Sequence, residues 1–153
     1  MQLMTDFDYS DLLDGVEDLK QAARDKGLAK LGDEIINFCF SMAKSVFHNK
    51  PTGDKVSAKI LSEAMKITDL RSLAKLRAKA HDIADAGEAL IAYAYLSGVI
   101  STEEITQKIL TGFKNKKNAE IIDLKPTEIY IAGLVELFEF LKQKWIKNQK
   151  LRG

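Results

Sequence analysis

Asp85-Ala86-Gly87-Glu88-Ala89-Leu90-Ile91-Ala92-Tyr93-Ala94-Tyr95-Leu96-Ser97-Gly98 is the stretch that decides how this chain folds. Residues 89–96 are apolar without interruption, and a run of this kind predicts a helix, about Ala84 to Leu96, buried on most of its sides. Ser97-Gly98 stops it. At the other end Asp85 and Glu88 stand three residues apart, so both project from one face near the N-terminal end of that helix. Two like charges that close repel each other unless a cation lies between them. Acids in the first turns of a helix are also favoured by the helix dipole with no metal present, so both readings stand at this point.

A second break in pattern lies upstream, in Leu31-Gly32-Asp33-Glu34-Ile35-Ile36. On a helix Asp33 shares a face with Ile36, Asn37 and Phe40. A carboxylate among apolar neighbours is expensive without a partner. Gly32 costs roughly 1 kcal/mol against alanine inside a helix, and it would let another backbone or a ligand come close. Asp33, Asp85 and Glu88 together offer oxygen donors and no soft ligand, a set suited to a hard cation such as Mg²⁺ or Mn²⁺. Such a cation activates water and neutralises a phosphodiester during hydrolysis.

Around these two stretches the pattern is helical nearly throughout, and no alternating run is long enough for a strand. Helices are expected over 9–25, Leu28 to Phe47, Lys55 to Lys66, Leu70 to Lys79 with Asp69 as its cap, Ala84 to Leu96, a capping-box start at Ser101 running to about Phe113, and Pro126 to about Asn148. Asn49-Lys50-Pro51-Thr52-Gly53-Asp54 reads as a turn, and Lys114 to Asn118 as a basic linker. The expectation is one all-α domain over 1–153 with about seven helices.

The chain has 153 residues, 46% of them hydrophobic and 29% charged, which excludes a disordered protein. Its single cysteine, Cys39, excludes an intramolecular disulfide framework. A reducing, cytoplasmic setting fits. No apolar run reaches the roughly 18 residues of a membrane span, and Met1 to Ser10 carries acids but no base, unlike a signal peptide. The net charge of +1 does not mark the whole molecule as a polyanion binder, but the charge is unevenly placed. Residues 1–19 hold six acids and no base, Arg71 to Lys79 holds Arg71, Lys75, Arg77 and Lys79 with no acid, and the tail after Glu139 holds Lys142, Lys144, Lys147, Lys150 and Arg152 with no acid. Such basic clusters either meet phosphates or are solvated helix faces.

The segment from Asp85 to Gly98 resembles the second acidic motif of the ribonuclease III endonuclease domain: an acid, two residues, Glu-Ala-Leu, then an apolar run ending in Tyr-Leu. Leu28-Ala29-Lys30-Leu31-Gly32-Asp33 resembles the family's signature, which ends in Leu-Gly-Asp. Between them Val56-Ser57-Ala58-Lys59 is similar to a stretch of the compact Mini-ribonuclease III group. The likeness covers about Leu28 to Leu110, leaving 115–153 as a helical C-terminal extension with no double-stranded-RNA-binding domain. It implies an all-α homodimer that cuts double-stranded or structured RNA with Mg²⁺ or Mn²⁺ during RNA processing. It implies that Asp33, Glu88 and Asp85 are the catalytic, metal-binding carboxylates, and that Arg77 and Lys79 fall in a basic segment that meets RNA. Two glutamates that most of the family carries upstream of the signature aspartate would fall at Lys26 and Ala29. The compact group has alanine at the second of these, and its basic loop before the second motif is longer than the one here.

Ser57 and Lys59 either touch an RNA backbone or are an N-terminal-turn serine and a surface lysine. His81, one turn before Asp85, either orients it or lies on the surface. Cys39 belongs to the core. Tyr93, Tyr95 and Trp145 either pack in the core or an interface or stack on bases, and the last helix, with Ile131, Leu134, Val135, Phe138, Leu141 and Trp145 on one side, is a core cover or a partner seam. Beside the endonuclease stand two alternatives: a catalytically inactive relative that binds RNA or a ribonucleoprotein, and a helical interaction module whose acids are caps.

Overall fold

The computed structural model describes residues 8–119 and 123–152. Asp6 and the side chains of Lys150 and Arg152 lie outside that description. Among the described residues there are six α-helices, two short 3₁₀ turns and no strand: α1 Leu19–Ala23, α2 Lys26–His48, α3 Ala58–Ile67, α4 Ala80–Leu96, α5 Thr102–Ala119 and α6 Pro126–Arg152.

The apolar run forms the centre, as its composition demands. Along α4 the residues Ile83, Ala84 and Ala86 to Ala92 are buried, with Ala94 and Leu96 after them. α2 packs along α4 most extensively, α3 and α1 take other sides of it, and α5 and α6 pair with each other against α2 and α3. α4 begins earlier than expected, at Ala80, because the Asp82 carboxylate accepts from the Lys79 amide at 3.0 Å and closes the first turn. It ends at Ser97, followed by Gly98 in the left-handed region at φ +79.

α2 starts at Lys26 because Asp25 accepts from the Leu28 amide at 2.8 Å. It ends where Asn49 adopts φ +54, and the turn expected over 49–54 follows. The buried face of α2 carries Leu28, Gly32, Ile36, Cys39, Phe40 and Ala43. Leu31, Phe38, Met42 and Val46, also apolar, point away from the core and stay exposed. Burying all the apolar positions of α2 inside one protomer is therefore not what happens; the helix has two apolar faces.

Four expectations are corrected. The helix over 9–25 is broken into a 3₁₀ turn at Ser10–Leu13 and the short α1. Asp14 is extended, Gly15 sits at φ +84, and Asp18 opens α1 by accepting from the Gln21 amide at 2.8 Å. α3 begins at Ala58 rather than Lys55, since the Ser57 hydroxyl accepts from the Ile60 amide at 3.2 Å. The helix over Leu70 to Lys79 does not form. Asp69 and Arg77 both take left-handed backbone, at φ +59 and +61, leaving only a 3₁₀ turn at Arg71–Leu73, so Asp69 caps nothing. The basic linker at 114–118 is helical and belongs to α5. The seven expected helices thus become six.

α6 is a core cover: Leu134, Leu137, Phe138, Leu141 and Trp145 are all buried. Gly112 and Gly133 let α5 and α6 touch, since a Cβ at Gly112 would overlap the Ala132 carbonyl. No helix among the described residues is long and apolar enough to cross a membrane.

Candidate active site

The site sits where α2 crosses α4, and Gly32 makes the crossing. A Cβ on Gly32 would overlap the Glu88 backbone carbonyl, so the two helices meet backbone to backbone one residue away from Asp33. Asp33 and Glu88 are thereby delivered to the same cleft from two different elements. The cleft has a volume of about 500 Å³ and is also lined by Asp85 and His81 from α4, Lys26, Ala29 and Lys30 from α2, and Lys75 from the loop before α4.

Glu88 is only 8% exposed and shares a side-chain hydrogen bond with Asp33. Burial first, then that contact and the charges of Asp33 and Asp85, push its carboxyl up to about 9. At neutral pH a proton therefore stands between the two carboxyl groups. Asp33 is held from the other side by Asn37, whose amide nitrogen donates to it at 3.0 Å, while the Asn37 carbonyl oxygen accepts from the Val56 amide at 2.8 Å. One side chain thus orients Asp33 and ties α2 to the segment that enters α3.

Asp85 lines the same cleft but nearer solvent, its side chain 46% exposed and 3.7 Å from the His81 Nε2. No group of three or more His, Cys, Asp or Glu side chains among the described residues is placed to hold a metal ion; the close approach is that of Asp33 and Glu88. The pair still fits a hard divalent cation: its donors are all oxygen, and it retains one proton where a cation would relieve the same repulsion. Mg²⁺ is commonly held by one or two carboxylates, with water and substrate phosphate completing the octahedron.

The remaining expected residues fall elsewhere. Arg77 and Lys79 are exposed on the loop before α4 and do not line the cleft, although their neighbour Lys75 does. Ser57 is the cap of α3, and Lys59 is exposed on that helix; neither reaches the cleft. Tyr93 lies against Trp145 and Tyr95 against Tyr9, with ring centroids 6.5 and 5.8 Å apart. Cys39 is fully buried, its thiol pushed up by that burial and directed at the Thr102 carbonyl, so it is a core residue and no nucleophile.

Three residues near the site carry roles that the sequence does not assign, although Asn37 is already placed there on the Asp33 face. Asn37 follows Asp33 by four positions, a spacing that places them together on a helix. Lys30 precedes it by three. Arg24 carries no sequence signal; it donates to the Leu73 and Ala74 carbonyls at 3.4 and 3.2 Å and fastens the loop before α4 to the start of α2.

The two central helices of an all-helical domain thus bring two carboxyl groups into one cleft. The ribonuclease III family model matches residues 26–145, more than half of the chain, and the protein belongs to the ribonuclease III family. The match runs through α5 and most of α6, beyond the segment that carries the three motifs. No curated protein matches the chain.

Proposed function

We propose that this protein is a metal-dependent endoribonuclease that hydrolyses phosphodiester bonds in double-stranded or structured RNA, a compact enzyme of the Mini-ribonuclease III kind acting in RNA processing. The observation that carries the proposal is the meeting of Asp33 and Glu88 in one cleft of a chain with this family membership. Bound there, Mg²⁺ or Mn²⁺ supplies charge neutralisation at the phosphodiester and lowers the pKa of water. Asp33, oriented by Asn37, and Glu88, on giving up its proton, are the residues that hold the cation. Asp85, at the rim of the same cleft, adds negative charge. Arg77 and Lys79 on the exposed loop, with Ser57 and Lys59 at the start of α3, are the proposed outer contacts for the RNA.

A homodimer belongs to this reading. Leu31, Phe38, Met42 and Val46 form an exposed apolar stripe on α2, the helix that carries Asp33, and a self-complementary contact there would set two clefts side by side, one for each RNA strand.

A second reading, an inactive relative that binds RNA or a ribonucleoprotein, draws on Lys26 and Ala29. They line the cleft at the places where most of the family has glutamates.

The test measures double-stranded RNA cleavage with Mg²⁺ or Mn²⁺, and thermal stability with and without the metal, for wild type, Asp33→Asn and Glu88→Gln. Wild type is expected to cut and to gain stability from metal, because a ligand that binds only the folded state must raise it. Each variant should lose both properties while staying folded. Wild-type protein that binds RNA but neither cuts nor responds to metal would leave the inactive relative as the better account.

A further inference from the structure

The cleft holds cations of its own beside the carboxylates. Lys26, Lys30 and Asp33 follow one another along α2 at i, i+4 and i+7, on one face, and all three line the cleft. The other basic lining residues are engaged: Arg24 with the Leu73 and Ala74 carbonyls, Lys75 with Asp82 at 3.5 Å, and His81 with Asp85 at 3.7 Å. Lys26 and Lys30 are exposed and form no ion pair among the described residues, despite the carboxylates around them.

A nucleic acid strand brought to Asp33 and Glu88 meets repulsion from those groups. A bound divalent cation offsets it only at the phosphate it touches. The neighbouring phosphates need positive charge that is fixed beside the carboxylates without being neutralised by them, and two unpaired ammonium groups on the same helix face supply it. Four residues of α-helix rise about 6 Å, close to the separation of successive phosphates on one strand. Ala29, between the two lysines on that face, leaves room for a backbone to lie against the helix.

We propose that Lys26 and Lys30 are phosphate-contacting residues that seat one RNA strand along the first two turns of α2, next to the Asp33–Glu88 pair. The proposal rests on the endonuclease reading and makes the lysine at position 26 a substrate-binding replacement for a metal-binding side chain. The backbone of the scissile strand is then held inside the cleft itself, and the exposed loop with Arg77 and Lys79 touches RNA further out.

The test is binding of the full chain to a short labelled RNA duplex in EDTA, where no metal-dependent cut occurs, followed by fluorescence anisotropy over a range of KCl concentrations. K26A/K30A should weaken binding and flatten the slope of log K against log[KCl] by about 1.8, taking about 0.9 per phosphate by analogy with duplex DNA. K26R/K30R should keep the wild-type slope. With Mg²⁺ present, K26A/K30A should raise KM more than it lowers kcat. Both side chains are exposed, so circular dichroism of the variants should match wild type. A K26A/K30A slope equal to wild type overturns the proposal and leaves the endonuclease reading standing. An arginine variant that fails like the alanine one overturns it too, since the loss would then not track charge. Wild type that binds no duplex at any salt concentration removes the endonuclease reading, and this proposal with it.

Discussion

Glu88 is a carboxyl group whose surroundings favour its neutral form. Burial and the neighbouring Asp33 and Asp85 raise its pKa from an ordinary value near 4.5 to about 9 in the folded, metal-free protein. The folded state therefore binds this proton more tightly than the unfolded one. Below about pH 4.5 both states hold the proton and the group has no effect on stability. As pH rises from there through 9, the unfolded chain releases the proton first and folding loses free energy. At pH 7 that loss is about 3 kcal/mol. Glu88→Gln should therefore raise the Tm in EDTA at pH 7–8 by several degrees and remove part of the decline between pH 5 and 9. With Mg²⁺ the order should reverse, because wild type gains a ligand that the glutamine variant lacks. Thermal unfolding at several pH values, with EDTA and with Mg²⁺, checks both statements. A wild type and a Gln variant that melt in parallel across the whole range would mean that Glu88 is not strained by its setting. The sequence announces Glu88 and Asp33 as charges in apolar company, but it is silent on their partners. How strongly Glu88 holds its proton depends on its burial in α4 and on its contact with Asp33, and both are settled only when the helices pack.

At the scale of elements, the α2–α4 crossing controls the site. Gly32→Ala places a methyl group against the Glu88 carbonyl. Main-chain atoms in the middle of two helices cannot step aside as a side chain can, so the helices must separate, at a cost of about 3 kcal/mol or more. The Tm should fall by roughly 6–12 °C for a domain of this size, and Mg²⁺ should restore little of it because Asp33 and Glu88 no longer meet. A Gly32→Ala protein as stable as wild type would show that the contact is looser than drawn. α4, α2 and α6 were legible because long apolar periodicity and clear end signals agree there. The helices expected over 9–25 and 70–79 failed for a different reason. Each contains helix-compatible residues, but short-range side-chain hydrogen bonds and left-handed positions at Gly15, Asp69 and Arg77 win over weak propensity. The linker at 114–118 failed the other way: its lysines read as a solvated strip, whereas the packing of α5 on α6 carries the helix through it.

For the whole molecule, the exposed stripe on α2 predicts association. Phe38 is 58% exposed and Val46 53%, unusual for large apolar side chains in a row on one helix. Analytical ultracentrifugation at micromolar concentration should find a dimer, and Phe38→Glu should give a monomer with an unchanged circular dichroism spectrum, since Phe38 lies outside the core. The monomeric variant should also lose paired cuts on opposite RNA strands and retain nicking of single strands. A wild-type monomer would remove the two-strand model. Sequence periodicity marked the positions Leu31, Phe38, Met42 and Val46 as apolar, but it could not say which of the two apolar faces of α2 the protomer would cover.

The missing side chain at Gly32 works like the pin of a pair of calipers. It sets the gap between two carboxylates directly, by touching main chain to main chain, so that gap does not depend on the thirty or so residues that connect the helices. The turn after α2 is tied to that helix through Ser41, Lys44 and Ser45, but it does not set the gap. Insertions, deletions or even a cut in the exposed stretch between Asn49 and Lys55 should leave the jaws at the same opening, so that stretch can vary in length while the distance from Asp33 to Glu88 stays fixed.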